Sequence, residues 1–191
     1  MTFYNFGTKT SHTAACDKNR SGYGLKAWGD IVNAMVREEN QALLEYDQEE
    51  TLLDNAPPAA VRYIAHIAVP CRDLDEAACW YSQVLGAQPV RKLHDRVTFS
   101  FGGVLQLVCH LEPSDVVSRP RPYPRHHGLT FLHMEDFRRM KEHLKELGIK
   151  FLVPPALRFA KSTHEHQTLM VADPSGNVVE FKCYVHPEYS Y

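Results

Sequence analysis

The chain has 191 residues, 44% of them hydrophobic and 23% charged, with a formal net charge of −2. That length allows one domain with a proper core plus an extension, and the near-neutral balance gives no electrostatic basis for a nucleic-acid or anionic-membrane partner. No apolar run is long enough to cross a bilayer, and residues 1–24 lack the apolar stretch of a secretory signal.

Those first residues are polar, with scattered Gly, Ser, Thr and Asn. From Leu25 to about Leu53, Leu25, Trp28, Ile31, Val32, Met35, Val36, Leu43 and Leu44 recur at three- and four-residue steps, which predicts a helix. Asp54-Asn55-Ala56-Pro57-Pro58 ends it. Residues 1–60 therefore read as an N-terminal extension and 61–191 as the main domain. The five cysteines are odd in number and none is spaced C-x-x-C. This argues against a disulfide framework or a cysteine zinc site, and for a reducing, cytoplasmic setting in which each cysteine packs as a small apolar group. Histidine is abundant at 11, and it is the commonest metal ligand and the general acid/base of neutral pH.

The main domain opens with a strand, "RYIAHIAV". A helix follows in "DLDEAACWYSQVLG", with Asp73 as N-cap and Gly86 as stop. Three strands come next: "QPVRKL", "RVTFSF" and "VLQLVCHL". "RPRPYPR" (Arg119–Arg125) reads as an extended connector. The order then repeats with the strand "HHGLTFLH", the helix "MEDFRRMKEHLKELG", and the strands "IKFLV", "HQTLMV" and "NVVEFKCY", the last entered through the turn Asp173-Pro174-Ser175-Gly176-Asn177. Modules of about 61–118 and 125–186 result. They align as a weak internal repeat, "GGVLQL" on "GNVVEF", which sets Gln106 opposite Glu180; His66 and His126 open the two modules.

Side chains alternate across a strand, so parity separates faces. Val179, Phe181 and Cys183 form an apolar face, with Glu180 and Lys182 on the other. Leu105, Leu107, Cys109 and Leu111 oppose Gln106 and His110. His127 shares parity with Leu129 and Phe131, whereas His126 goes with Gly128 and Thr130. His66, Gln106, His126 and Glu180 are thus expected to converge on one concave sheet face. Two imidazoles and one carboxylate can bind one divalent metal and leave positions open for substrate or O2. Taken singly, a histidine in a strand is more often packed or exposed than a ligand, and a glutamate alternating with apolar residues is usually a solvent face. Parity and repeat together favour the metal reading.

"HIAVPCRDLDEAACWYSQVLGAQPV" resembles the opening of the vicinal oxygen chelate superfamily, which includes glyoxalase I, bleomycin and fosfomycin resistance proteins and type I extradiol dioxygenases; "DPSGNVVEFK" resembles its closing strand. "AHIAVP", "LQLVCHL", "RHHGLTF", "RFAK" and "EHQTLMVADPSGNVVEFK" look closest to the extradiol-dioxygenase-like branch. The resemblance covers about residues 61–186. It implies an α+β fold of two βαβββ modules around a half-open, barrel-like cup, with His66, His126 and Glu180 as metal ligands. Of the two adjacent histidines, parity favours His126 over His127. Gln106 falls where some branches supply a fourth ligand, often a glutamate in lyases and isomerases; glutamine leaves the metal more open.

The implied activity is Fe(II)-dependent, extradiol-type ring cleavage of a catecholic substrate with O2. His164 and His166 are the candidate acid/base groups, Arg158 a candidate for a substrate carboxylate, and Gln106 and His110 further substrate contacts. Homodimers are common in the superfamily, so a homodimer is expected here. The rivals are a glyoxalase-like lyase or isomerase using Zn, Ni or Mn as a Lewis acid, and a metal-free protein that sequesters a ligand.

Overall fold

The computed structural model describes residues 64–101 and 105–189; the helical pattern of Leu25–Leu53 lies outside them. Module one runs β1 (Ala65–Cys71), α1 (Leu74–Leu85), β2 (Pro89–Lys92), β3 (Arg96–Phe101) and β4 (Leu105–Leu111). Module two runs β5 (His127–Phe131), α2 (Met134–Glu146), β6 (Phe151–Arg158), β7 (His166–Ala172) and β8 (Val178–Tyr184). Each module makes one four-stranded sheet, in the orders β1-β4-β3-β2 and β5-β8-β7-β6. In both, the opening strand lies parallel to the closing strand and the remaining pairs are antiparallel. The internal repeat is therefore a repeat of topology: two βαβββ units, α+β, with two open sheets. No helix among the described residues is long and apolar enough to cross a membrane.

Local chemistry explains the helix ends. The Asp73 carboxylate accepts from the Glu76 N–H at 2.7 Å, and Gly86 takes φ 64° to turn the chain out of α1. α2 starts at His133 with no side-chain cap. β6 differs from expectation: it continues beyond Val153 to Arg158, through Pro154 and Pro155. It is an edge strand with register shifts on either side of Val153, the setting in which a sheet tolerates residues without an N–H.

Each helix covers the apolar face of its own sheet. Ala77, Trp80, Tyr81 and Val84 of α1 join Val97, Phe99 and Leu107, and Phe137, Met140 and Leu144 of α2 join Phe131, Val179 and Phe181, in one core that spans both modules. Cys71, Cys109 and Cys183 are free and buried in it, and burial pushes the Cys71 thiol up to about 11.

The Asp173–Asn177 turn does more than reverse the chain: it fastens module two to module one. Tyr81 Oη donates to Asp173 Oδ2 (3.0 Å), the Arg72 N–H to Ser175 Oγ (3.1 Å), and Asn177 Nδ2 to the Pro70 carbonyl (2.8 Å). The Val117 N–H donates to the Ser175 carbonyl. Gly176 sits at φ 84°, and a Cβ there would lie 2.0 Å from the Val117 carbonyl oxygen, so the turn docks only with glycine. The modules thus join through this turn and the helix side, and the opposite sheet faces carry the polar residues.

Candidate metal centre

Strand register decides which polar residues meet. In module one His66 lies beside Gln106, and His110 beside Pro70 and Arg96. In module two the register is offset by two: Gly128, not His126, lies beside Glu180. His126 stands just before β5 and reaches Glu180 diagonally, with Nε2 3.5 Å from Glu180 Oε2. A Cβ at Gly128 would lie 1.8 Å from the Glu180 carbonyl oxygen. Only glycine permits this approach of β5 to β8, and with it the placement of His126.

His126 is held for one role. Its Nδ1 lies 3.0 Å from the Pro122 carbonyl. A carbonyl only accepts, so Nδ1 carries the proton and, in the neutral ring, Nε2 keeps the lone pair aimed at Glu180. A backbone carbonyl on one ring nitrogen is the usual way a ligating histidine is oriented. The Tyr123 ring packs edge-on against the imidazole, with centroids 5.6 Å apart. The connector Arg119–Arg125, expected only to span the modules, supplies both contacts.

Glu180 is 7% exposed. Its Oε1 accepts from Thr168 Oγ1 at 2.7 Å, and its Oε2 faces His126 and Lys182 Nζ, the latter at 3.2 Å. Burial works to raise its pKa, but the Thr168 bond, the Lys182 ammonium and His126 together hold the carboxyl below its ordinary value. Glu180 is therefore an anion at neutral pH with one oxygen tied to protein and one turned to the site. A fixed imidazole nitrogen and a carboxylate oxygen are a donor pair that fits a divalent cation.

His127 has a different fate. It pairs in register with Val179, on the helix-packed face, and its Nε2 is buried without a hydrogen-bond partner. Burial first, then the neighbouring His126, pushes its pKa down to about 4. The unfolded ring takes its proton near 6.5, so between those values the unfolded chain binds more protons than the folded one. Stability is fully present above about pH 6.5 and is lost as pH falls toward 4. In metal-free protein, wild type is expected to lose about 2 kcal/mol relative to His127→Leu between pH 7.5 and 5, read by urea denaturation at the two pH values. Parallel pH profiles would remove this assignment.

His66 is exposed on β1. Among the described residues, no three His, Cys, Asp or Glu side chains lie close enough to hold a metal ion. The expected convergence of His66 and Gln106 with His126 and Glu180 is therefore not made within one chain: the four form two pairs on two sheets. Parity tells which face a side chain takes, not which sheet that face meets.

The other candidates separate in the same way. His164 lies in the turn before β7 and is exposed, so alternation along the strand does not extend to it. His166 begins β7 and is 9% exposed, its ring between Phe159 and Tyr184 with centroids at 5.6 and 5.1 Å. Its Nδ1 donates to the His164 carbonyl at 2.8 Å, which leaves Nε2 as the free nitrogen. Arg158 is the register partner of His166 on β6 and is exposed. Sequence reasoning assigned no role to Thr168, Lys182, Pro122 or Tyr123. For the first two the signal was available, since Lys182 shares parity with Glu180 and Thr168 with His166; for the carbonyl of Pro122 there was none.

Residues 63–181 match the family described as Glyoxalase/Bleomycin resistance protein/Dioxygenase superfamily. A solved glyoxalase/bleomycin resistance protein/dioxygenase from Alicyclobacillus acidocaldarius is 39% identical, with a TM-score of 0.63, over 68% of this chain and 96% of that one. A lactoylglutathione lyase from Agrobacterium tumefaciens is 21% identical, with a TM-score of 0.51, over 71% of this chain and all (100%) of that one, a likeness of fold. The protein named Glyoxylase I 4 from Arabidopsis thaliana is 26% identical over 104 residues, 52% of this chain and 59% of that protein. Sequence match, repeated βαβββ topology and the level of identity to the Alicyclobacillus protein agree: the chain belongs to the Glyoxalase/Bleomycin resistance protein/Dioxygenase superfamily.

Proposed function

We propose that this chain is a metal-dependent enzyme, an extradiol-type ring-cleaving dioxygenase acting with O2 on a catecholic or similar small aromatic substrate. The observation that carries the reading is the pair His126 Nε2 and Glu180 Oε2, 3.5 Å apart, with His126 Nδ1 committed to a backbone carbonyl. His126 and Glu180 hold the cation. His66, with Gln106 beside it, comes from a second copy of the chain, because one chain does not bring it to the pair. The assembly is then a homodimer.

A bound divalent cation, Fe(II) in this reading, lowers the pKa of a chelating hydroxyl and holds two reactants together. The chain's residues set the rest. One carboxylate and neutral nitrogen ligands leave the cation with net positive charge, and Gln106 adds no second anion to offset it. His166 presents Nε2 from a face shared with Thr168, placed to accept or return a proton. Arg158, its register partner, offers a guanidinium to a substrate carboxylate.

The name of the Arabidopsis relative favours a second reading, a glyoxalase-like lyase or isomerase with Zn, Ni or Mn. Anaerobic purification with metal quantitation, then a catechol panel followed by oxygen consumption, separates the two. Iron-dependent O2 uptake with ring-opened product supports the dioxygenase. Activity with zinc in the absence of O2 supports the second reading, and a protein that takes no metal overturns both.

A further inference from the structure

We infer that Lys182 is an internal competitor for the metal position, an ammonium that occupies Glu180 in the metal-free protein and gives way when a divalent cation enters. The inference rests on the proposed role of Glu180. Glu180 Oε1 is committed to Thr168, so Oε2 is the oxygen left for a metal. That same atom faces two groups: His126 Nε2 at 3.5 Å and Lys182 Nζ at 3.2 Å. The ammonium thus lies beside the oxygen and the imidazole nitrogen that a cation would bridge.

Backbone placement makes the arrangement specific. Lys182 is two residues beyond Glu180 on β8, so both side chains leave the same face. Its register partners are Thr168 on β7 and Thr130 on β5, neither of which offers a second carboxylate to draw the ammonium away. The Lys182 side chain is 29% exposed and that of Glu180 9%. The lysine therefore has a route to water that the carboxylate lacks: when a cation arrives, it is the ammonium that moves.

Two consequences follow. Without metal, Lys182 gives the nearly buried carboxylate a counter-charge and keeps Oε2 turned toward His126. With metal, that contact is lost and a positive charge stays near the cation, so both effects weaken binding. Removing the ammonium should tighten divalent-cation binding by about tenfold, the scale of one charge-assisted hydrogen bond.

The test is a competition titration of metal-free protein with Zn(II) against a chromophoric chelator, for wild type, Lys182→Met, Lys182→Arg and Glu180→Gln, with thermal unfolding of each with and without zinc. The expected result is tighter binding for K182M and wild-type affinity for K182R. K182M should also melt lower without metal and gain more from it, since a ligand stabilises according to its affinity. Unchanged or weaker binding by K182M, or equal tightening by K182R, would overturn the inference while leaving the Glu180 site intact. The site itself fails by a different result, in which E180Q binds zinc as wild type does or neither wild type nor K182M takes the cation.

Discussion

Replacing Asp173 by alanine is expected to cost about 3–5 kcal/mol of folding stability, the scale of a buried charge network broken on one side. The Asp173 carboxylate is 5% exposed. Four donors end on it: Tyr81 Oη at 3.0 Å, the Ser175 N–H at 2.9 Å, the Asn177 N–H at 2.8 Å and Asn177 Nδ2 at 2.7 Å. Alanine takes this acceptor from all four, two of which, Tyr81 Oη and the Ser175 N–H, are buried. The loss also crosses between modules, because Tyr81 belongs to α1 and the turn to module two. Burial pushes the carboxyl above its ordinary value, against the bonds from Asn177, Tyr81 and Ser175. Those bonds are thus what makes the buried group tolerable, and Asp173→Asn, which keeps one acceptor oxygen, should fall between wild type and alanine. Equilibrium urea denaturation reads the difference. A loss below about 1 kcal/mol for D173A, the value of an ordinary single hydrogen bond, would show that the turn does not fasten the modules.

Glu180→Gln is expected to lower divalent-cation affinity by more than about a hundredfold, above the range seen when only a supporting group of a metal ligand is lost. The amide keeps the size of the carboxyl and an oxygen for Thr168 Oγ1, so packing among Thr168, Met170 and Gly128 is preserved. What disappears is the anion. The fold should remain within about 1 kcal/mol of wild type in the absence of metal, the scale of one hydrogen bond, since the uncharged amide needs no counter-charge in its nearly buried place and Lys182, 29% exposed, can turn to water. Isothermal titration with Fe(II) under anaerobic conditions, or with Zn(II), gives the affinity; denaturation gives the control. Wild-type affinity in a folded E180Q protein would remove Glu180 from the site.

Much of the fold was legible because the physics was local. Asp73 and Gly86 mark the ends of α1 by side-chain capping and left-handed backbone, and period-two alternation marked β4 and β8 with their apolar faces. β6 was read short because Pro154 and Pro155 look like breakers, and only its position at a sheet edge makes them harmless. At the candidate site, parity put His127 with Leu129 and Phe131 and His126 with the Glu180 face, as the contacts have it. The two-residue offset between modules was not legible: it depends on how closely Gly128 lets β5 approach β8. Nor was the placing of His66 and Glu180 on different sheets, because alternation within a strand says nothing of how two sheets are set against each other. β7 begins at His166, where the sequence reads it, and of the two candidate histidines His166 is buried and His164, before the strand, is exposed.

If a cation is held, as proposed, by His126 and Glu180 of one chain and His66 of another, mixing two variants should restore a site that neither has alone. His66→Ala and Glu180→Gln chains are each expected to lack the complete site as pure homodimers. In a mixed dimer, one site loses both ligands, while the other keeps His66 from one chain and Glu180 from its partner. Co-expression of the two variants with distinct tags, isolation of the mixed dimer and titration with zinc should therefore recover one wild-type-affinity site per dimer. A mixed dimer as weak as its parents, with wild type binding normally, would contradict the shared site.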